Sequence, residues 1–97
     1  MSRVLMVSLS AEGRNNWFME WLSINDQAVS QHEQAHMVTT LRNGDEYRWV
    51  VLSPAVLSLE VDTIHFDDRR AGRMSPEQEE LFAQLRYRVR IKTPPAN

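Results

Sequence analysis

Ninety-seven residues, 42% apolar and 25% charged, are enough for one domain with a single modest core and too apolar for a disordered tail. There is no cysteine, which excludes disulfides and cysteine-held zinc or iron. The formal charge of −2 is unevenly placed: 4 bases and 10 acids lie in the first 68 residues, and seven bases against three acids from Arg69 onward.

Arg3 to Leu9 (R-V-L-M-V-S-L) reads as a buried strand, free of Gly and Pro. Ser10 is a plausible N-cap for a helix over about 11–23, whose Trp17, Phe18, Trp21 and Leu22 form one apolar stripe. That spacing accounts for the aromatics as core. Residues 25–34 are polar and ambiguous. Two β-prone runs, Met37–Leu41 and Tyr47–Leu52, then flank Asn43-Gly44-Asp45-Glu46, a strong hairpin signal. Ser53-Pro54 ends the second arm, and Val56, Leu57 and Leu59 make a short apolar turn. The run Val61 to Asp68 (V-D-T-I-H-F-D-D) reads as an inner parallel strand ending in two acids. Ligands in open α/β sheets gather at the carboxyl ends of such strands, which makes Asp67 and Asp68 candidate Mg²⁺ ligands. A basic loop follows, then Ser75-Pro76-Glu77-Gln78, which joins an N-cap, a proline at the first helical position and a capping-box Gln. The helix it starts should run to about Tyr87, with Leu81, Phe82 and Leu85 facing the core. Arg88 to Lys92 alternates with period two as a last strand, and Thr93-Pro94-Pro95 stops it, leaving 93–97 as a flexible tail.

The order of strand, helix, N-G hairpin (T-L-R-N-G-D-E-Y-R-W-V-V), S-P-A-V-L-S-L, V-D-T-I-H-F-D-D, helix and R-V-R-I-K-T-P resembles the middle of the ATPase domain of phage large terminases and related P-loop helicases. The resemblance implies that Asp67 corresponds to the Walker B Mg²⁺ aspartate, Asp68 to the catalytic glutamate and Thr93 to the coupling-motif threonine. Two departures matter. Asp68 is one methylene shorter than Glu, and no G-x-x-x-x-G-K-[ST] cradle exists, since the only glycines are Gly13, Gly44 and Gly72 and the only lysine is Lys92. Without backbone N–H groups and a lysine to hold phosphates, two carboxylates repel a triphosphate unless a metal intervenes. The resemblance thus implies a phage-encoded relative of a P-loop fold that has lost nucleotide hydrolysis.

A second motif points elsewhere. His32-Glu33-Gln34-Ala35-His36 matches H-E-x-x-H, in which histidines at i and i+4 share a helix face and bind Zn²⁺ while the Glu acts on the metal-bound water. Its polar flanks, Ser30, Gln31 and Gln34, suit a buried zinc helix badly, and a third ligand would have to come from Glu46, Glu60, His65 or Asp67. No nucleophile elbow surrounds Ser8, Ser10 or Ser53.

These readings lead to one α/β domain over 1–97, a small Rossmann-like, P-loop-NTPase-like three-layer sandwich with a mainly parallel sheet, one β-hairpin and two main helices. The expected function is that of a non-enzymatic phage-type accessory protein, without a cofactor, that binds an unknown protein or a nucleic acid. Its partner-binding candidates are Arg69, Arg70, Arg73, Arg86, Arg88 and Arg90, which otherwise form a solvated basic face. The alternative is a small zinc hydrolase with His32 and His36 as ligands and Glu33 as the catalytic group. The apolar run Val4–Leu9 is too short for a signal-peptide core or membrane span, so a cytoplasmic protein, in the host cytoplasm if phage-encoded, is expected. An incomplete sheet would leave an open edge through which homo-oligomers could form.

Overall fold

The computed structural model describes residues 2–67, 74–88 and 91–92, with the backbone alone at 86–88 and 91–92. Its elements in chain order are β1 (Arg3–Ser8), α1 (Ala11–Asn25), a 3₁₀ turn (Asp26–Ala28), β2 (Val29–Glu33), β3 (Val38–Leu41), β4 (Glu46–Val51), a 3₁₀ turn (Pro54–Ser58), β5 (Thr63–Phe66), α2 (Pro76–Arg88) and β6 (Ile91–Lys92). They form one sheet in the order β2-β3-β4-β1-β5-β6.

That sheet is mixed, and this corrects the expectation of a mainly parallel Rossmann-like, P-loop-like sandwich. β1 lies parallel between β4 and β5, and β5 is parallel to β6, but β3 is antiparallel to both β2 and β4. Connection length decides the difference. Parallel neighbours need a crossover of a dozen or more residues, whereas only the Gln34–Met37 and Arg42–Asp45 turns separate β2, β3 and β4. Half of the sheet is therefore a meander whose strands are joined by turns and not by helices.

Strand alternation splits the core in two. On one face, Val4, Met6 and Trp49 meet Trp17 and Phe18 of α1, with Met37 closing one side. Trp49 is the hub of this layer: its ring centroid lies 5.6 Å from Trp17, 5.3 Å from Phe18 and 5.5 Å from Trp21, all near edge-to-face. Each such pair adds about 0.5–1.5 kcal/mol beyond the area it buries. On the other face, Leu5, Val7, Ile64 and Phe66 pack against Val56 of the second 3₁₀ turn and Leu85 of α2, an aliphatic layer in which Phe66 and Phe82 lie 4.7 Å apart.

Local chemistry sets the element ends. Ser10 Oγ accepts the Gly13 N–H at 3.0 Å and caps α1. Before α2, the Gln78 N–H donates to Ser75 Oγ at 3.2 Å and the Ser75 N–H donates to Gln78 Oε1 at 3.0 Å, a complete capping box. In the β3–β4 hairpin Gly44 has φ 95°, a left-handed conformation that a Cβ would strain. Met37, before β3, holds φ 50° although it is not glycine, and its buried side chain in the aromatic layer offsets that cost.

Candidate functional site

The sequence places chemistry at the carboxyl end of β5, and there the described residues leave Asp67 shut from solvent. The Asp67 N–H donates to Val7 O at 3.0 Å, which continues the β1–β5 ladder past Phe66. Ser8 and Asp67 become neighbours on the α1 side of the sheet, and each is only 1% exposed. Among the described residues the buried Ser8 Oγ has no hydrogen-bond partner. On the other flank of β1, the Leu52 N–H donates to Ser8 O at 2.8 Å. Two residues, Leu9 and Ser10, join β1 to α1. They leave no room for a glycine-rich loop, and Ser10 already takes the Gly13 N–H on its side chain and the Arg14 N–H on its carbonyl at 2.9 Å. The Gln78 side-chain amide reaches from α2 to Leu9 O at 3.5 Å and covers the turn. This end of the sheet resembles a ligand crevice in topology, but among the described residues it holds no cradle for a phosphate.

The H-E-x-x-H motif does not form a helix. His32 and Glu33 end β2, and Gln34 to Met37 form the turn into β3, so the two histidines do not stand one above the other on a helix face. His32 turns inward, stacked on Phe18 at 4.4 Å, with Nδ1 2.7 Å from Thr39 Oγ1. Thr39 is fully buried and also accepts the Trp49 Nε1–H at 3.2 Å, so His32 belongs to a polar link inside the aromatic layer. His36 is exposed and bonds through Nδ1 to Glu33. A separation of ring directions follows: one histidine points to the core, the other to solvent. Among the described residues no three His, Asp or Glu side chains stand together as metal ligands.

Of the remaining candidates, His65 sits half-buried in β5 opposite Met6. Asp68, Arg69, Arg70, Arg73, Arg90 and Thr93 lie outside the described residues, and so do the side chains of Arg86 and Arg88, whose backbone is in α2. The basic surface read from the sequence is thus not placed. No helix among the described residues is long and apolar enough to cross a membrane.

An open cleft lies at the opposite end of the strands, where no sequence motif marks it. A cleft of about 350 Å³ runs beside the amino ends of β1 and β4, among Arg3, Glu46, Arg48 and Glu60. Only knowledge that β4 lies parallel beside β1, pairing Arg3 with Glu46, brings these four charges together. On the opposite face of β4, against Trp21, Tyr47 has a phenol pushed above the ordinary 10.0, by burial first and by the Asp45 carboxylate second.

No protein-family model, curated protein or solved structure matches this chain.

Proposed function

We infer that the chain is a non-catalytic binding protein that works by engaging another protein. The observation that carries this reading is the closed carboxyl end: the sheet's usual place for chemistry has Ser8 and Asp67 shut from solvent and a two-residue turn where a cradle would be needed. The surface supports it from the other side. Met19 and Ile24 stand 61% and 81% exposed on the outward side of α1, large apolar groups that fill no place in either core layer. Five residues apart, they stand about 140° from each other around the helix and offer two separate apolar contacts to a partner's surface.

Two measurements test the reading. Titration with Mg–ATP should give no saturable heat and no phosphate release; tight binding with turnover refutes the non-catalytic half. A photo-cross-linking residue placed at Ile24 in producing cells should give one discrete protein adduct, while the same group at exposed Ala55 gives none. Identical adducts at both positions, or none at either, refute the binding half.

A further inference from the structure

The amino-end cleft carries a separate inference, which does not rest on the α1 surface. Its frame is fixed by main-chain bonds. The Arg3 N–H donates to Asp62 Oδ2 at 2.8 Å and the Asp62 N–H returns a bond to Arg3 O at 2.8 Å. On the other side, the Glu46 N–H donates to Ser2 O at 2.8 Å and the Ser2 N–H donates to Asp45 Oδ1 at 2.9 Å. Asp45 and Asp62 are therefore engaged in holding the β1 start rather than in neutralising the two arginines.

Parity puts Arg3, Glu46 and Arg48 on the α2 side of the sheet, with Glu60 on the extended segment that leads into β5. Although Arg3 and Glu46 are opposite each other in the ladder, no ion pair within 4.0 Å joins any of these four side chains among the described residues. Two guanidinium groups and two carboxylates thus line one cleft without satisfying each other. A ligand carrying only negative charge would meet Glu46 and Glu60, and one carrying only positive charge would meet Arg3 and Arg48. A ligand with a carboxylate and an ammonium a few ångströms apart meets both.

Next to this charged space the cleft turns apolar. A smaller lobe of about 190 Å³ shares Leu59, Glu60 and Val61 with it, and is lined further in by Leu5, Val56, Ile64 and Leu85. The charged part, about 350 Å³, is at the small end of the range for ligand sites.

We propose that this cleft binds a free α-amino acid with an apolar side chain. The carboxylate is held by Arg48 and Arg3 in charge-assisted hydrogen bonds, the ammonium by Glu60 and Glu46, and the side chain lies over Leu59 and Val61 toward the aliphatic lobe. Specificity comes from the two charges together, since either alone faces a like charge across the cleft.

The test is calorimetric titration of the full chain with L-leucine, isovalerate and isopentylamine, the last two each carrying one of the two charges. L-leucine should bind saturably at one site, and each single-charge analogue about tenfold more weakly or worse, as should L-leucine to Glu60→Gln and Arg48→Gln. Circular dichroism melting confirms that each variant is folded; if Arg48→Gln is not, Glu60→Gln on the exposed segment decides alone. Failure of L-leucine to saturate, isovalerate binding as tightly as L-leucine, or an unchanged affinity in any folded variant overturns the proposal.

Discussion

At its carboxyl end β1 turns at once into α1, and Ser8 and Asp67 at the ends of β1 and β5 are 1% exposed, whereas at the amino ends Arg3, Glu46, Arg48 and Glu60 stand around an open cleft of about 350 Å³. In open α/β sheets the expectation runs the other way, with ligands outside the carboxyl ends. The difference teaches that strand direction alone does not make a crevice. Connection length does: Leu9 and Ser10 bring the α1 N-terminus tight against the end of β1, while the longer passage from Pro54 to Asp62, tied to Arg3 through Asp62, leaves a cleft beside Glu60.

The contrast can be broken most strongly by Phe66→Ala. Phe66 is 2% exposed and packs on Phe82 just below the closed end, so its removal should cost about 3–5 kcal/mol in urea unfolding. A loss under about 1 kcal/mol would mean that the closed end is not packed as described. The two ends can next be compared by deleting one carboxylate or hydroxyl at each. Ser10→Ala removes the α1 cap and Asp62→Ala removes the bond to the Arg3 N–H; each should cost about 1 kcal/mol, and the two costs should add because the sites are at opposite ends of β1. Strong non-additivity would show that the ends are not independent.

A pH effect sharpens the picture of the amino end. Burial, then Asp45, raises the Tyr47 phenol above 10.0, so the folded state holds its proton longer than the unfolded chain. The sign is then fixed: the contribution is fully present below pH 10.0 and is lost as pH rises from there through the raised value. Tyr47→Phe should reduce that alkaline loss of stability, read from melts across the window. Smallest of all is Glu60→Gln, expected to leave stability within about 0.5 kcal/mol because its exposed side chain bonds to nothing among the described residues. A larger loss would assign Glu60 a structural role in place of a ligand-binding one.

Much of the local structure was legible. Ser10, Asn43-Gly44 and Ser75 to Gln78 act at the positions their chemistry assigns them, and the Trp17, Phe18, Trp21, Leu22 stripe faces the sheet. β2 was not legible. It is an edge strand whose residues are mostly exposed, and an irregularity between Val29 and Gln31 shifts its register, so period-two alternation is lost. The same residues spell H-E-x-x-H, and the letters alone do not reveal that Gln34 to Met37 is a turn. Strand order was the other gap. That β4, paired with β3 on one edge, lies parallel beside β1 on the other is a long-range outcome, and with it went both the mixed character of the sheet and the charged cleft. Asp67 was correctly placed at a strand's end, but its burial depends on how short the β1–α1 turn is in space, which spacing in sequence hints at without fixing.

Whether the carboxyl end is shut can be measured directly, because the sequence has no native cysteine. Ser8→Cys and Ser10→Cys each introduce a single thiol of nearly the same size as the hydroxyl, one at a 1% exposed position and one at an exposed cap. Under native conditions the Ser8→Cys thiol should react with a water-soluble disulfide reagent orders of magnitude more slowly than the Ser10→Cys thiol, and reach the same rate only in denaturant. Equal rates in the folded protein would mean that a crevice is open there after all, and would contradict the central claim.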